Sequence, residues 1–164
     1  MVLSYLTYYV WKPQQRMNYG ELLDLRKTPP ADFVGLDGAR LKTGELSGKW
    51  LLVLFDQSSC KIDCQQRLYS MRQSRLAMRE KRDKVATLWL VTDAGQPADM
   101  VLQQFREVGM ARAGAEYEGM FPSPAMGRIF LLDPKGNQVL RYPENPEPAK
   151  MIRDLARLLD VKRM

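Results

Sequence analysis

The sequence predicts an α/β domain, a central mixed sheet with flanking helices and an N-terminal β-hairpin. Three observations carry this. Residues 50–55 and 85–91 are apolar runs of strand length, as expected of strands buried on both faces. A long stretch of polar and apolar residues at helical spacing separates them, and strand–helix–strand implies a right-handed parallel crossover. A third apolar run, 128–133, meets the turn Pro134-Lys135-Gly136-Asn137 and a return segment, 138–142, which is the pattern of an antiparallel hairpin.

Taken in order, residues 1–11 (MVLSYLTYYVW) are apolar and aromatic and end at Lys12-Pro13. They fall far short of the ~20 residues that cross a bilayer and lack the basic start and small-residue cleavage site of a signal peptide. Tyr5, Tyr8, Tyr9 and Trp11 crowd just before a charged stretch, like the interfacial end of a membrane-spanning helix whose earlier part is missing. The competing reading is an element packed on the domain or on a partner. Lys12 and Arg16 lie on the side that the positive-inside tendency would keep in the cytoplasm. Residues 12–31 read as a linker, mixing Pro, Gln, Asn, Gly and charges. The folded domain is expected over 32–164. It opens with a hairpin at 32–42, where Asp37-Gly38 is a tight-turn signal between two short apolar segments. Strand 50–55 follows. Asp56-Gln57-Ser58-Ser59 offers helix N-cap side chains, and Ile62, Cys64, Leu68, Met71 and Met78 recur along the helix after it. Residues 97–108 are amphipathic, with Pro97 suited to a first helical turn. Residues 109–126 show no period and read as a loop with room for one short helix. A last helix over 149–161 buries Ile152, Leu155, Leu158 and Leu159.

The order is hairpin, β, α, β, α, β, β, α. This is the thioredoxin-like plan, and it sets a cysteine pair at the first helix, where such folds do their chemistry. Cys60 and Cys64 are the two cysteines of the chain. At i and i+4 on a helix their Cβ atoms would lie about 5–6 Å apart, whereas a disulfide needs about 4 Å. With Cys60 at or before the first turn, the backbone can close that gap. Three states remain open: a disulfide, a shared soft metal ion, or two inert buried thiols. A helix N-terminus favours the thiolate.

Composition narrows the chemistry. Of 164 residues, 45% are hydrophobic, enough for a core, and 27% are charged. Histidine is absent, which excludes Ser-His-Asp and Cys-His nucleophile pairs and His-ligated zinc, and two cysteines cannot make a four-cysteine zinc site. A cysteine pair alone points to redox chemistry, to a soft ion such as Cu(I), or to structure. The net charge of +6 comes largely from Arg67, Arg72, Arg75, Arg79, Lys81, Arg82 and Lys84. With few aromatics among them to stack bases, no nucleic-acid partner is expected, and the plain reading is a solvated face.

The chain resembles the Sco/SenC group of thioredoxin-fold proteins, which serve cytochrome c oxidase assembly. The resemblance rests on Asp32-Phe33 with Leu36-Asp37-Gly38, on Leu46-Ser47-Gly48-Lys49-Trp50, on Leu54-Phe55 with Cys60-Lys61-Ile62-Asp63-Cys64, and on Phe130 to Gly136. It implies that Cys60 and Cys64 serve as redox residues and metal ligands. It further implies Cu(I) as a possible cofactor and a protein partner such as an oxidase subunit or assembly factor. A single N-terminal anchor in the bacterial inner membrane, with the domain facing the periplasm, completes the implied picture. The chain departs from that family at three places, one of them the residues ahead of the pair, where Asp56-Gln57-Ser58-Ser59 replaces the usual ones. The family's copper-binding histidine would fall near Ala125 and Met126, and Lys61 replaces the usual proline after the first cysteine. Met126 or Met120 could offer a thioether to Cu(I), though packing is the plainer job for both. The functions that follow are thiol–disulfide exchange with Cys60 attacking and Cys64 resolving, copper delivery through an altered site, or a non-catalytic scaffold with a structural cysteine pair. Peroxidase chemistry lacks a Thr-x-x-Cys pattern with a supporting arginine.

Overall fold

The computed structural model describes residues 19–28, 33–38, 40–41, 46 and 48–161. The expected anchor segment, 1–11, lies outside them. The described elements are strands β1 (Glu21–Lys27), β2 (Phe33–Gly35), β3 (Arg40–Leu41) and β4 (Trp50–Asp56), helix α1 (Ile62–Leu76), a 3-10 turn (Arg79–Lys84), β5 (Val85–Val91), α2 (Asp99–Gln104), β6 (Gly109–Arg112), α3 (Ala115–Gly119), β7 (Ile129–Leu132), β8 (Asn137–Arg141) and α4 (Pro148–Val161). The strands form one mixed sheet in the order β1-β8-β7-β4-β5-β6-β2-β3.

The central strand β4 runs parallel to β5 and antiparallel to β7. Its side chains alternate between two cores. Trp50, Leu52 and Leu54 face one side with Trp89, Ile129 and Leu131, under α1 and α4 through Leu68, Met71, Met151 and Leu155. Leu51, Val53 and Phe55 face the other with Leu88, Leu90 and Phe130, covered by Tyr117 and Phe121. A strand with both faces covered has no polar position to fill, so its run is wholly apolar.

The hairpin at Asp37-Gly38 forms as expected, with Gly38 at φ +87°. So does the turn from β7 to β8, where the buried Asp133 accepts the amides of Lys135 and Asn137 at 2.9 and 2.8 Å.

Four expectations are corrected. Part of the supposed linker, Glu21–Lys27, is an edge strand antiparallel to β8. What holds it is backbone pairing plus contacts distant in sequence: the buried Asp154 carboxylate accepts the amides of Tyr19 and Gly20 at 2.8 Å each. The supposed loop 109–126 contains β6, which pairs with both β5 and β2. Gly109 starts it, because a Cβ there would come within 3.0 Å of the Thr87 carbonyl oxygen. The amphipathic stretch 97–108 is helical only over α2, with Ala98 rather than Pro97 at its boundary. Ile62, expected on the buried helix face, is 71% exposed.

The basic stretch does more than meet solvent. Arg72 donates to the Gln104 carbonyl and stacks over the Phe105 ring. Arg75 donates to the Val85 carbonyl, and Lys81 pairs with Asp160.

Candidate functional site: a cysteine pair at the end of the central strand

The carboxyl end of β4 releases the chain into the turn that carries the cysteines. Gln57 to Cys60 closes by a bond from the Cys60 amide to the Gln57 carbonyl, 3.2 Å. Cys60 has φ +33°, in the left-handed region, which costs a non-glycine residue about 1 kcal/mol or more. The Gln65 side chain holds the Cys60 carbonyl at 3.0 Å. Lys61, not a residue of 56–59, is the N-cap of α1, and it makes no side-chain cap bond. Cys60 therefore lies just outside the helix and Cys64 in its first turn. The two form a disulfide with Cα atoms 4.9 Å apart, so of the three states left open by spacing, the structure takes the first. Both cysteines are buried, at 2% and 3% exposure.

Two carboxylates clamp this turn. Asp56 accepts the Gln57 amide at 2.9 Å and pairs with Arg67 of α1 at 3.1 Å, both side chains largely shielded. Arg67 also donates to the Glu144 carbonyl at 2.7 Å. From the neighbouring strand, Asp93 accepts the Ser58 amide with both oxygens at 3.3 Å and the Gly95 amide at 3.1 Å. A hydrogen bond from the Ser58 hydroxyl is the main reason its carboxyl lies below the usual range. Desolvation opposes this, while the two amides and Arg112 reinforce it. Arg112 locks the same loop through the carbonyls of Asp93 and Gly95. A Cβ at Gly95 would fall 2.4 Å from the Ser58 hydroxyl oxygen, so any side chain there would push that hydroxyl from its place beside Asp93.

These clamp residues were missed in the sequence, although a signal existed. β4 and β5 are parallel and in register, Asp56 opposite Val91, and loops leaving the carboxyl ends of adjacent parallel strands meet. Met126 reaches the same end of the sheet: it bridges Phe55, and the Gly127 amide donates to the Phe55 carbonyl at 2.7 Å. Its sulfur accepts the Thr92 hydroxyl at 3.6 Å. Met120 packs at the edge of the second core.

The two-cysteine, one-histidine copper centre of the Sco group lacks its histidine in this chain. Among the described residues no three His, Cys, Asp or Glu side chains converge, and the two sulfurs are bonded to each other in this structure. Nor is any helix among the described residues long and apolar enough to cross a membrane.

A mixed sheet with β4–α1–β5, a terminal β7–β8–α4 unit and a cysteine pair entering the first helix defines a thioredoxin-like domain. The chain belongs to the family described as the transmembrane-like, thioredoxin-like C-terminal domain, which matches residues 50–162. Among solved structures, copper-bound ScoI of Bradyrhizobium japonicum is similar at 21% identity and TM-score 0.61, covering 80% of this chain and 99% of that one. Apo Sco1 of Thermus thermophilus gives 17% and 0.69, covering 86% and 96%. The thioredoxin domain of a Bacteroides vulgatus thiol-disulfide oxidoreductase gives 16% and 0.60, covering 83% and 98%. No curated protein matches the chain.

Proposed function

We propose that this chain is a Sco-type thiol–disulfide exchange domain working on a protein partner in cytochrome c oxidase assembly. In this reading residues 1–11 belong to an inner-membrane anchor and the domain faces the periplasm. The observation that carries it is the Cys60–Cys64 disulfide at the entrance to α1, at the end of the central strand. In the reduced state the Cys60 thiolate attacks one sulfur of a partner disulfide. A mixed disulfide forms and the partner's other sulfur leaves as a thiolate. Cys64 then attacks the Cys60 sulfur, releasing the partner as a dithiol and restoring the intramolecular bond. Cys60 suits the first step because it sits on a turn outside the helix, whereas Cys64 is fixed in the first helical turn. In the reduced state the same two thiolates suit Cu(I) as a cargo, a soft ion content with two sulfur donors.

One observation favours a second reading, a scaffold with a structural cysteine pair: both cysteines are nearly inaccessible, and exchange needs access to a sulfur. Equilibration in graded thiol–disulfide buffers followed by alkylation separates the two. Exchange requires a single two-electron transition with both thiols trapped together. A pair that stays oxidised down to about −300 mV, the range of structural disulfides, refutes exchange in favour of the scaffold.

A further inference from the structure

At the same end of the sheet lie three arginines, with Arg67 and Arg141 both within electrostatic reach of Arg128. Two of them are paired. Arg67 binds Asp56. Arg141 of β8 holds Glu21 of β1 through Nε and Nη2 at 3.0 and 2.6 Å, and its Nη1 donates to the Ser123 carbonyl at 3.1 Å. Arg128 is different. Its Nε donates to the Tyr142 carbonyl at 2.8 Å, and its terminal nitrogens have no protein partner among the described residues. Burial and the neighbouring Arg141 both press its guanidinium toward giving up charge, while Glu144 and Glu21 act only at a distance. Arg128 is thus a fixed, incompletely compensated cation.

It lines an open groove of about 540 Å³ between the start of β1 and the end of β8. Beside it the lining is mixed: Leu22, 59% exposed on an edge strand, Pro143 and Tyr19 are the apolar part, and Glu21 and Arg141, paired with each other, are the charged part, so the Glu21 carboxylate is already held by Arg141. Pro143 precedes Glu144, whose carbonyl accepts Arg67, the residue that clamps the cysteine turn. A ligand in this groove would sit beside the element that presents the disulfide.

We infer that this groove docks an acidic side chain of a partner protein, its carboxylate on the free fork of Arg128 and an adjoining apolar residue against Leu22 and Pro143. One unpaired guanidinium matches one carboxylate, and a planar fork matches it in shape. The apolar part of the lining adds nothing for a small inorganic anion but does for a peptide. The identity of the ligand as the thiol-bearing partner rests on the exchange reading, whereas the docking chemistry does not.

The test is an NMR titration of the full oxidised chain with the capped peptide acetyl-Leu-Glu-Leu-amide, its Gln counterpart, and inorganic phosphate. The glutamate peptide should give saturable shifts at Gly20, Leu22 and Arg128, with about tenfold weaker binding for the Gln peptide, as expected for one lost charge-assisted pair. Arg128→Gln should abolish that preference and Arg128→Lys should retain part of it. Equal binding of the Glu and Gln peptides, equal binding of phosphate and the glutamate peptide, or no shift at these residues each overturns the inference. The comparison of ligands on the unmodified chain stands even if a variant folds poorly. Because the readout uses the oxidised protein, its failure leaves the thiol titration untouched, and failure of the thiol titration leaves the docking result untouched.

Discussion

Replacing Asp154 with alanine should destabilise the domain through a strand that lies more than a hundred residues away in sequence. Asp154, 1% exposed on α4, accepts two backbone amides, Tyr19 and Gly20, at 2.8 Å each. Hydrogen bonds to a charged group contribute about 1.5–3 kcal/mol each. The two share one carboxylate and are not fully additive, so about 3 kcal/mol is expected for Asp154→Ala. The Arg157 guanidinium, 4.0 Å away and with one buried nitrogen that has no hydrogen-bond partner among the described residues, would lose its compensating charge as well. At this chain length 1 kcal/mol moves Tm by about 2–4 °C, so calorimetry should show a fall of about 6–12 °C. Asp154→Asn keeps one carbonyl acceptor and should cost about half as much. Hydrogen exchange at Tyr19 and Gly20 should accelerate more than exchange in β4. Deleting residues 1–28 removes the same strand and should destabilise at least as much, contrary to a linker role for 12–31. A Tm within about 2 °C of the parent, with β1 amides still protected, would refute the reasoning.

Further outcomes follow from single groups. Tyr142→Phe should raise Tm by about 2–4 °C, since the Tyr142 hydroxyl is buried without a hydrogen-bond partner among the described residues and its removal relieves a penalty of about 1 kcal/mol or more; a fall in Tm would reveal a partner. Asp93 has a folded-state pKa below the ordinary 3.8, so it adds stability above that pH that is lost as pH falls through the folded value. The gap between the parent and Asp93→Asn in urea melts should therefore be constant above about pH 4 and shrink below it, and a gap independent of pH would remove Asp93 as the cause. Burial pushes Tyr117 up to about 12 from 10.0, so its contribution is complete below pH 10 and is lost as pH rises toward 12; Tyr117→Phe should flatten that alkaline limb of the stability curve. With no histidine ligand, the domain should bind Cu(II) weakly and, once reduced, Cu(I) at a ratio of about one. A stable coloured Cu(II)–thiolate complex would contradict this.

How much of the fold could be read from the sequence depends on where its stabilising contacts lie. β4, β5 and β7 are buried on both faces, so their sequences are apolar runs, interrupted within β5 by the buried Thr87 and ended in β4 by Asp56. The hairpin turns carry Asp37-Gly38 and Asp133 to Gly136, whose glycines take positive φ. β1 had no such mark. Its sequence, ELLDLRK, puts Leu22 outside, and its order comes from β8 and from Asp154. β6 has four residues, one of them glycine, and exists because β5 and β2 each offer it an unpaired edge. Neither kind of support leaves a local period to detect.

The site divides the same way. The cysteine pair was visible because nothing else in a histidine-free chain could do such chemistry, but its accessibility was not, because that belongs to the turn and its clamps. Ser58 and Asp93 are separated by 35 residues, and Asp56 meets Arg67 across a strand and a helix. The clamps act unequally on the two sulfurs. Asp56–Arg67 fixes the end of β4 and the body of α1, which includes Cys64. Asp93 and Gln65 grip the turn itself, at the Ser58 amide and the Cys60 carbonyl, through bonds of 3.3 and 3.0 Å. Opening the turn to expose Cys60 breaks the second set and leaves the first intact. Under the proposed exchange reading, a partner that competes for the Ser58 amide or the Cys60 carbonyl would uncover Cys60 without unfolding the helix that holds Cys64. That asymmetry supports the proposal that Cys60 attacks, which cysteine spacing alone does not supply.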